Sequence, residues 1–264
     1  MTTVGILGAT GRMGQALVAR VAAAEDLVLG AAVVRPGSPD VGRELFDVRL
    51  DDTPDRAAAA CDVLIDFTLP VALEANLSAA MAHGTPMVIG TTGLNAGQDR
   101  AVAEAAERLA LVHAANYSSG VTLLRRLAAI AAGALDATYD VEILEAHHRH
   151  KQDAPSGTAL ALGEAVAAAR GVTLEACGVY AREGITGPRQ SGEIGFQALR
   201  GGDIVGEHTV MLAGDGERME ISHRASSRDT FASGALRAAR WLIGKPAGRY
   251  DMEDVLGLRS PSAE

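Results

Sequence analysis

Short, compact apolar runs alternate with longer helical patterns through the first half of this chain. The runs are Val4 to Leu7, Val28 to Val34, Val63 to Phe67, Met87 to Ile89 and Leu111 to Val112. None shows the polar alternation of a strand with one wet face. Strands of this kind are buried on both sides, as in a parallel sheet covered by helices. The covering helices are legible too. Arg12 to Ala24 places Met13, Leu17 and Val21 on one face, and Val71 to His83 and Ala96 to Leu109 are further helical segments. An α/β doubly wound parallel sheet over residues 1–118 is the prediction.

The second half has another rhythm. Val121 to Leu135 reads as a buried helix, and Tyr139 to Ala146 as a strand with Val141 and Ile143 on one face. Ser156 to Arg170 is a helix ending at Gly171. Three strand-like runs follow: Ile194 to Leu199, Ile204 to Leu212 and Met219 to Ala225. Gly201-Gly202 and Gly214-Asp215-Gly216 separate them, and such dipeptides predict hairpins. Residues 119–228 therefore read as an α+β domain with a mainly antiparallel, meandering sheet. Phe231 to Ile243 is helical again and stops at Gly244-Lys245-Pro246. Residues 229–264 are expected to return to the first domain. The only low-complexity stretch is Ser260 to Glu264.

Composition excludes several function classes. Of 264 residues, 48% are hydrophobic and 22% charged, which is globular rather than disordered. Aromatics are 3% and the net charge is −9, a poor basis for stacking or steering a nucleic acid. No stretch is long and apolar enough for a membrane span, and no targeting segment is visible. Cys61 and Cys177 lie far apart with no CxxC pair, which fits a reduced, cytoplasmic protein without a metal cluster.

The chemistry-bearing residues fall at the ends of the predicted strands. Gly8-Ala9-Thr10-Gly11-Arg12-Met13-Gly14 follows the first strand and opens the first helix. The context is that of a dinucleotide fingerprint, with spacing GxxGxxG in place of GxGxxG. The plain alternative is a Gly-rich turn. At the end of the second strand Val34 offers no carboxylate to ribose hydroxyls, whereas Arg35 suits a 2′-phosphate. Gly90-Thr91-Thr92 and Ala114-Ala115-Asn116-Tyr117 follow further strands, where small residues and amides can meet a nicotinamide. The sharpest segment is Glu145-Ala-His147-His148-Arg-His150-Lys151-Gln-Asp153-Ala-Pro-Ser156-Gly157-Thr158. It is a cationic loop running into a helix N-terminus. Zinc lacks a ligand framework here, and nucleic acid is disfavoured by the overall acidity. A pocket for a small polyanion that also carries a proton donor fits best.

These segments together resemble the 4-hydroxy-tetrahydrodipicolinate (dihydrodipicolinate) reductase family. Ile65-Asp-Phe-Thr68, Gly201-Gly-Asp-Ile-Val-Gly-Glu-His208 and Ala225-Ser-Ser-Arg228 extend the resemblance over essentially the whole chain. It implies an N-terminal Rossmann domain completed by the C-terminal helix and a substrate domain whose sheet makes a homotetramer. It also implies hydride delivery from NADPH or NADH to a small dicarboxylate in diaminopimelate and lysine biosynthesis. By position, His147 matches the proton donor/acceptor and Lys151 the proton donor. His148, Gly157 and Thr158 match substrate-carboxylate contacts. Gly8, Ala9, Thr10, Gly11, Arg12 and Met13, then Gly90, Thr91 and Thr92, then Ala114, Ala115, Asn116 and Tyr117 match nucleotide contacts. Many members carry Glu-Arg where this chain has Val34-Arg35, so NADPH is the expected preference. The alternatives are another reductase of an imino- or amino-dicarboxylate, and a non-catalytic dinucleotide sensor, against which His147 and Lys151 count.

Overall fold

The computed structural model describes residues 1–259; the tail at 260–264 lies outside the described residues. The chain divides into two compact units. One is Met1–Ser119 together with the chain from Asp229 onward, and the other is Gly120–Arg228.

In the first unit the order is β1 (Thr2–Leu7), α1 (Arg12–Ala22), β2 (Leu27–Val33), β3 (Glu44–Leu45), β4 (Val48–Asp51), α2 (Pro54–Ala60), β5 (Val63–Asp66), α3 (Pro70–His83), β6 (Met87–Ile89), α4 (Ala96–Ala106) and β7 (Ala110–His113). The second unit carries α5 (Ser119–Ala134), β8 (Asp140–His147), α6 (Gly157–Ala169), α7 (Leu174–Cys177), β9 (Gly178–Val179), β10 (Ile194–Arg200), β11 (Gly206–Gly214) and β12 (Glu217–Ala225). The chain then returns with α8 (Asp229–Leu242), β13 (Gly248–Tyr250) and α9 (Met252–Leu256).

The first sheet runs β13-β7-β6-β5-β1-β2-β4-β3, and its pairings are parallel except for β3 with β4. The strand order reverses between β1 and β5, where a doubly wound sheet opens its crevice. Its inner strands β1, β5, β6 and β7 are buried on both faces over most of their length, as their continuous apolar runs predict. Within β5, Val63 and Ile65 join the cluster under α1 and α8, while Leu64 joins the one under α3 and α4. The edge pieces β3, β4 and β13 are too short and too polar to stand out in the sequence. The C-terminal return is fastened by Gly234 of α8. A Cβ there would collide with the Tyr117 carbonyl oxygen, so only glycine lets the helix lie on that backbone.

The second sheet has the order β12-β11-β8-β10-β9. Antiparallel register covers β11 with both β12 and β8; β10 is parallel to β8 and β9. The sheet is mainly antiparallel, but the predicted meander needs correction. β8 lies between β10 and β11, so Gly201-Gly202 is not a hairpin turn. The two glycines instead bond the backbone of the histidine segment: Gly201 N–H donates to His147 O (2.9 Å), and Gly202 O accepts from Arg149 N–H (3.2 Å). Helix α5 is not fully buried either. It covers one face of the sheet, so Leu124, Ala128 and Ala131 are inside while Leu123, Leu127 and Ile130 are exposed.

Candidate active site

The glycine loop of the first unit is built from backbone. Gly8 has φ +80°, a conformation that favours glycine. The N–H groups of Gly8 and Ala9 both donate to Val33 O, at 2.8 and 2.9 Å, which ties the loop to the end of β2. Arg35 lies two residues beyond that anchor and is exposed, while Val34 is buried. A Cβ on Gly14 would collide with the Gly8 carbonyl, so the close approach of α1 to the loop requires glycine. The N-cap of α1 is Gly11, which brings no side-chain cap. The first N–H groups of the helix, at Arg12 and Met13, have no intrahelical partner and lie at the positive end of its dipole. With Thr10 between them and Gly8, these residues form a cradle that fits a pyrophosphate.

The neighbouring strand ends are braced by a residue that the sequence reading did not single out. Asp66, at the end of β5, is completely buried. Its carboxylate accepts from Thr68 N–H (2.8 Å), the Thr68 hydroxyl (2.6 Å), Asn76 Nδ2 (3.0 Å) and the Thr91 hydroxyl (3.4 Å). Burial raises its pKa despite these bonds. The brace fixes the Gly90-Thr91-Thr92 turn, because Gly90 N–H also donates to Asp66 O (2.8 Å). The absence of a Cβ at Gly90 makes room for the Phe67 ring rather than for a ligand. Tyr117 is likewise internal. Its hydroxyl donates to the carbonyls of Ile89 (2.8 Å) and Val112 (3.0 Å), so a nucleotide could meet it only through its backbone. Ala114 N–H reaches Ile89 O (3.3 Å), and Asn116 Oδ1 accepts from Ser118 N–H (2.8 Å). These bonds hold the 114–118 turn, with Ala115 in its middle, at the end of β7.

In the second unit the chemistry is carried by side chains. The inward stripe of β8 runs Val141, Ile143, Glu145, His147: two apolar residues, then two ionisable ones. On β11 the stripe is Leu212, Val210, His208, and His208 stands opposite Glu145 in the register. Arg200 ends β10 opposite His147. The Glu145 side chain is only 1% exposed. Its Oε1 accepts from Arg200 Nη2 (2.7 Å) and Ser156 N–H (3.1 Å). Its Oε2 accepts from Arg200 Nη1 (2.7 Å) and lies 2.6 Å from His147 Nδ1. Burial works to raise this carboxyl, but the hydrogen bonds from Arg200 and His147 outweigh it and hold the pKa below the usual glutamate value.

The same carboxylate therefore anchors both His147 and the start of α6. Ser156 caps that helix, its Oγ accepting from Ala159 N–H (3.2 Å), and the Oγ lies 3.2 Å from His208 Nε2. Burial first, then the neighbouring His147, lowers the His208 pKa to about 4, so the ring is neutral at neutral pH. Its ring lies steeply inclined to that of His147, at 74°, with centroids 5.1 Å apart. His148 sits beside them with a buried Nδ1 that has no hydrogen-bond partner among the described residues, and burial lowers its pKa. Lys151 Nζ pairs with both oxygens of Asp153, at 2.8 and 2.9 Å. Its side chain is 19% exposed, more covered than a solvated loop lysine. Gly157 and Thr158 open α6 next to this cluster. His147, His148, Lys151, Gly157 and Thr158 are thus brought together. No group of three His, Cys, Asp or Glu side chains among the described residues is placed to hold a metal. Glu145, Arg200 and His208 were missed as site residues, although a period-2 reading extended to the strand ends would have found Glu145 and His208.

Residues 2–117 match the family described as dihydrodipicolinate reductase, N-terminus, and residues 120–256 the one described as dihydrodipicolinate reductase, C-terminus. A 4-hydroxy-tetrahydrodipicolinate reductase of Alkalilimnicola ehrlichii is 54% identical over 97% of this chain and 99% of that protein. One of Thiobacillus denitrificans is 53% identical over 97% and 98%. A dipicolinate-bound dihydrodipicolinate reductase from Paenisporosarcina sp. superposes with a TM-score of 0.79 at 25% identity, over 96% of this chain and 99% of that one. Two family matches that together span nearly the whole chain, and relatives above half identity, place this protein in the dihydrodipicolinate reductase family.

Proposed function

We propose that this NAD(P)H-dependent oxidoreductase reduces 4-hydroxy-tetrahydrodipicolinate to tetrahydrodipicolinate with loss of water, a step of diaminopimelate and lysine biosynthesis. The observation that carries the reading is the cationic His147–Lys151 segment held against the capped start of α6 by one buried carboxylate. The substrate is a cyclic dicarboxylate, so its site must balance two negative charges. Lys151 supplies positive charge, the first turn of α6 at Gly157 and Thr158 supplies backbone donors, and His148, its pKa lowered by burial, supplies a neutral imidazole. A reduced nicotinamide supplies the hydride when bound. Electron density built on the ring by hydride addition is quenched by a proton, which Lys151 or protonated His147 can donate.

The nucleotide falls to Gly8, Ala9, Thr10, Gly11, Arg12 and Met13 for the pyrophosphate, and to the Gly90–Thr92 and Ala114–Tyr117 turns for the nicotinamide half. NADPH is preferred over NADH. Val34 presents neither a carboxylate to ribose hydroxyls nor a charge to repel a 2′-phosphate. Arg35 follows the strand end that anchors the glycine loop. One charge-assisted contact is worth roughly 1.5–3 kcal/mol, and exposure trims it, so a preference of about tenfold follows. Arg35→Ala is expected to remove most of that gap, mainly through KM for NADPH; a variant that keeps it would refute the assignment. The protein is a homotetramer built through its second sheet, whose outer face exposes Leu144 and Leu199.

The deciding assay supplies NADPH and enzymatically generated 4-hydroxy-tetrahydrodipicolinate and follows loss of nicotinamide absorbance. Steady turnover is expected. Cofactor oxidation with a different imino-dicarboxylate but not with this one would replace the substrate, and binding of NADPH with no oxidation would leave a sensor.

A further inference from the structure

We propose that Glu145 is a positioning residue that keeps the proton of His147 on Nδ1, so that Nε2 is the atom through which the ring exchanges protons. The proposal rests on the reading of His147 as a proton carrier and adds the device that sets its tautomer.

The geometry leaves the ring little choice. Glu145 is ionised, since its carboxyl is held below the ordinary range and accepts from three N–H donors besides the ring. A carboxylate 2.6 Å from Nδ1 can only accept, so Nδ1 must carry hydrogen. Nε2 is then the remaining ring nitrogen. It has no hydrogen-bond partner among the described residues and lies against Gly206. A Cβ on that residue would come within 3.1 Å of Nε2. The carboxylate cannot rotate away, because Arg200 grips both of its oxygens and Ser156 N–H holds one. His208, neutral and with its Nε2 at Ser156 Oγ, packs against the ring without competing for Nδ1. A carboxylate behind an imidazole fixes its orientation and favours the cation that forms when Nε2 accepts a proton.

The hydrogen-bond inventory makes the substitution Glu145→Gln decisive. An amide NH2 at the Oε1 position would face two donors, Arg200 Nη2 and Ser156 N–H. At the Oε2 position it would face one donor, Arg200 Nη1, and the His147 ring. The second arrangement has the smaller conflict and presents an N–H to Nδ1. The ring must then accept at Nδ1 and carry its proton on Nε2, the reversed tautomer.

The test is the 15N solid-state spectrum of the full-length protein labelled at histidine, at about pH 9, above the ordinary imidazole pKa of about 6.5. Signals of His147 are identified by their loss in His147→Gln. A protonated Nδ1 is expected in the wild type and a bare Nδ1 in Glu145→Gln. The variant should lose roughly 10²–10⁴-fold in kcat with KM for substrate changed by less than about threefold. A bare Nδ1 in the wild type overturns the proposal without any variant, so it stands or falls even if Glu145→Gln does not fold. A folded Glu145→Gln with an unchanged tautomer overturns it as well. Turnover of His147→Gln is a separate reading: if it stays near wild type, the proton-carrier role fails, while the spectrum still decides whether Glu145 sets the ring.

Discussion

The ends of the two sheets are built in opposite ways. At the end of the first sheet the loop works by what is missing. Gly14 has no Cβ to strike Gly8, and Gly11 gives α1 no side-chain cap, which leaves the first N–H groups at the positive end of the helix dipole without a side-chain partner from the N-cap. At the end of the second sheet the helix start is already capped by Ser156, and charge is supplied by buried, mutually bonded side chains. The first design suits a ligand held by shape and by many weak donors. The second suits a reaction in which one proton must move, because paired groups hold their protonation states in place.

The largest effect expected from this contrast is at Lys151. Lys151→Ala removes a group assigned to chemistry and should lower kcat by roughly 10²–10⁴-fold. Its partner Asp153 is 61% exposed, so the fold should stand. Near-wild-type turnover in the purified variant would show that the second site is only an electrostatic basin.

Gly14→Ala probes the other design. The added methyl group meets backbone, which cannot swing aside, so a loss of about 1–3 kcal/mol in stability and a raised KM for NADPH are expected, read by urea unfolding and kinetics. Gly157→Ala is its counterpart. Nothing lies within 4 Å of a Cβ there, and alanine suits the first turn of a helix, so stability should hold or rise by up to about 1 kcal/mol. If both variants destabilise alike, glycine means the same thing in both places and the contrast collapses.

Acid provides a smaller and graded test. His208 has a folded pKa of about 4, below the ordinary value of 6.5, so the unfolded chain takes up its proton first as pH falls. Stability from this residue is complete above about pH 6.5 and declines toward pH 4, by about 2 kcal/mol at pH 5. Denaturant midpoints at pH 7 and pH 5 should differ by less in His208→Asn than in the wild type.

The parts of this design that the sequence exposes follow from their physics. Missing side chains leave a spacing, so Gly8, Gly11 and Gly14 were readable, as were the apolar strands that aim them. Titratable residues that crowd together, His147 to Lys151, were readable as composition. What could not be read is partnership across strands. Arg200 is 55 residues from Glu145, and His208 is 52 from Ser156; only the order β11-β8-β10 brings them together. The same order misled the hairpin reading at Gly201-Gly202, because a Gly-Gly pair signals a turn but does not say which strand comes next. Asp66 was hidden for a related reason: a carboxylate at the end of an apolar run looks like the start of a solvated loop.

The returning helix has a consequence for how the chain is made. Eight of the 25 buried residues in the first unit's core on one face come late in the sequence: Ala232, Ala235, Leu236, Ala238, Ala239, Leu242, Met252 and Val255. A ribosome delivers β1 to β7 long before these residues, and the whole of Gly120–Arg228 in between. The middle unit, whose core is drawn only from its own residues, can therefore close while still attached, whereas one face of the N-terminal strands waits with α1 alone in place. During synthesis the unit that starts first is the one that finishes last, and Ile65, Val88 and Val112, on the strands that α8 packs against, are the surface a chaperone would meet in that interval.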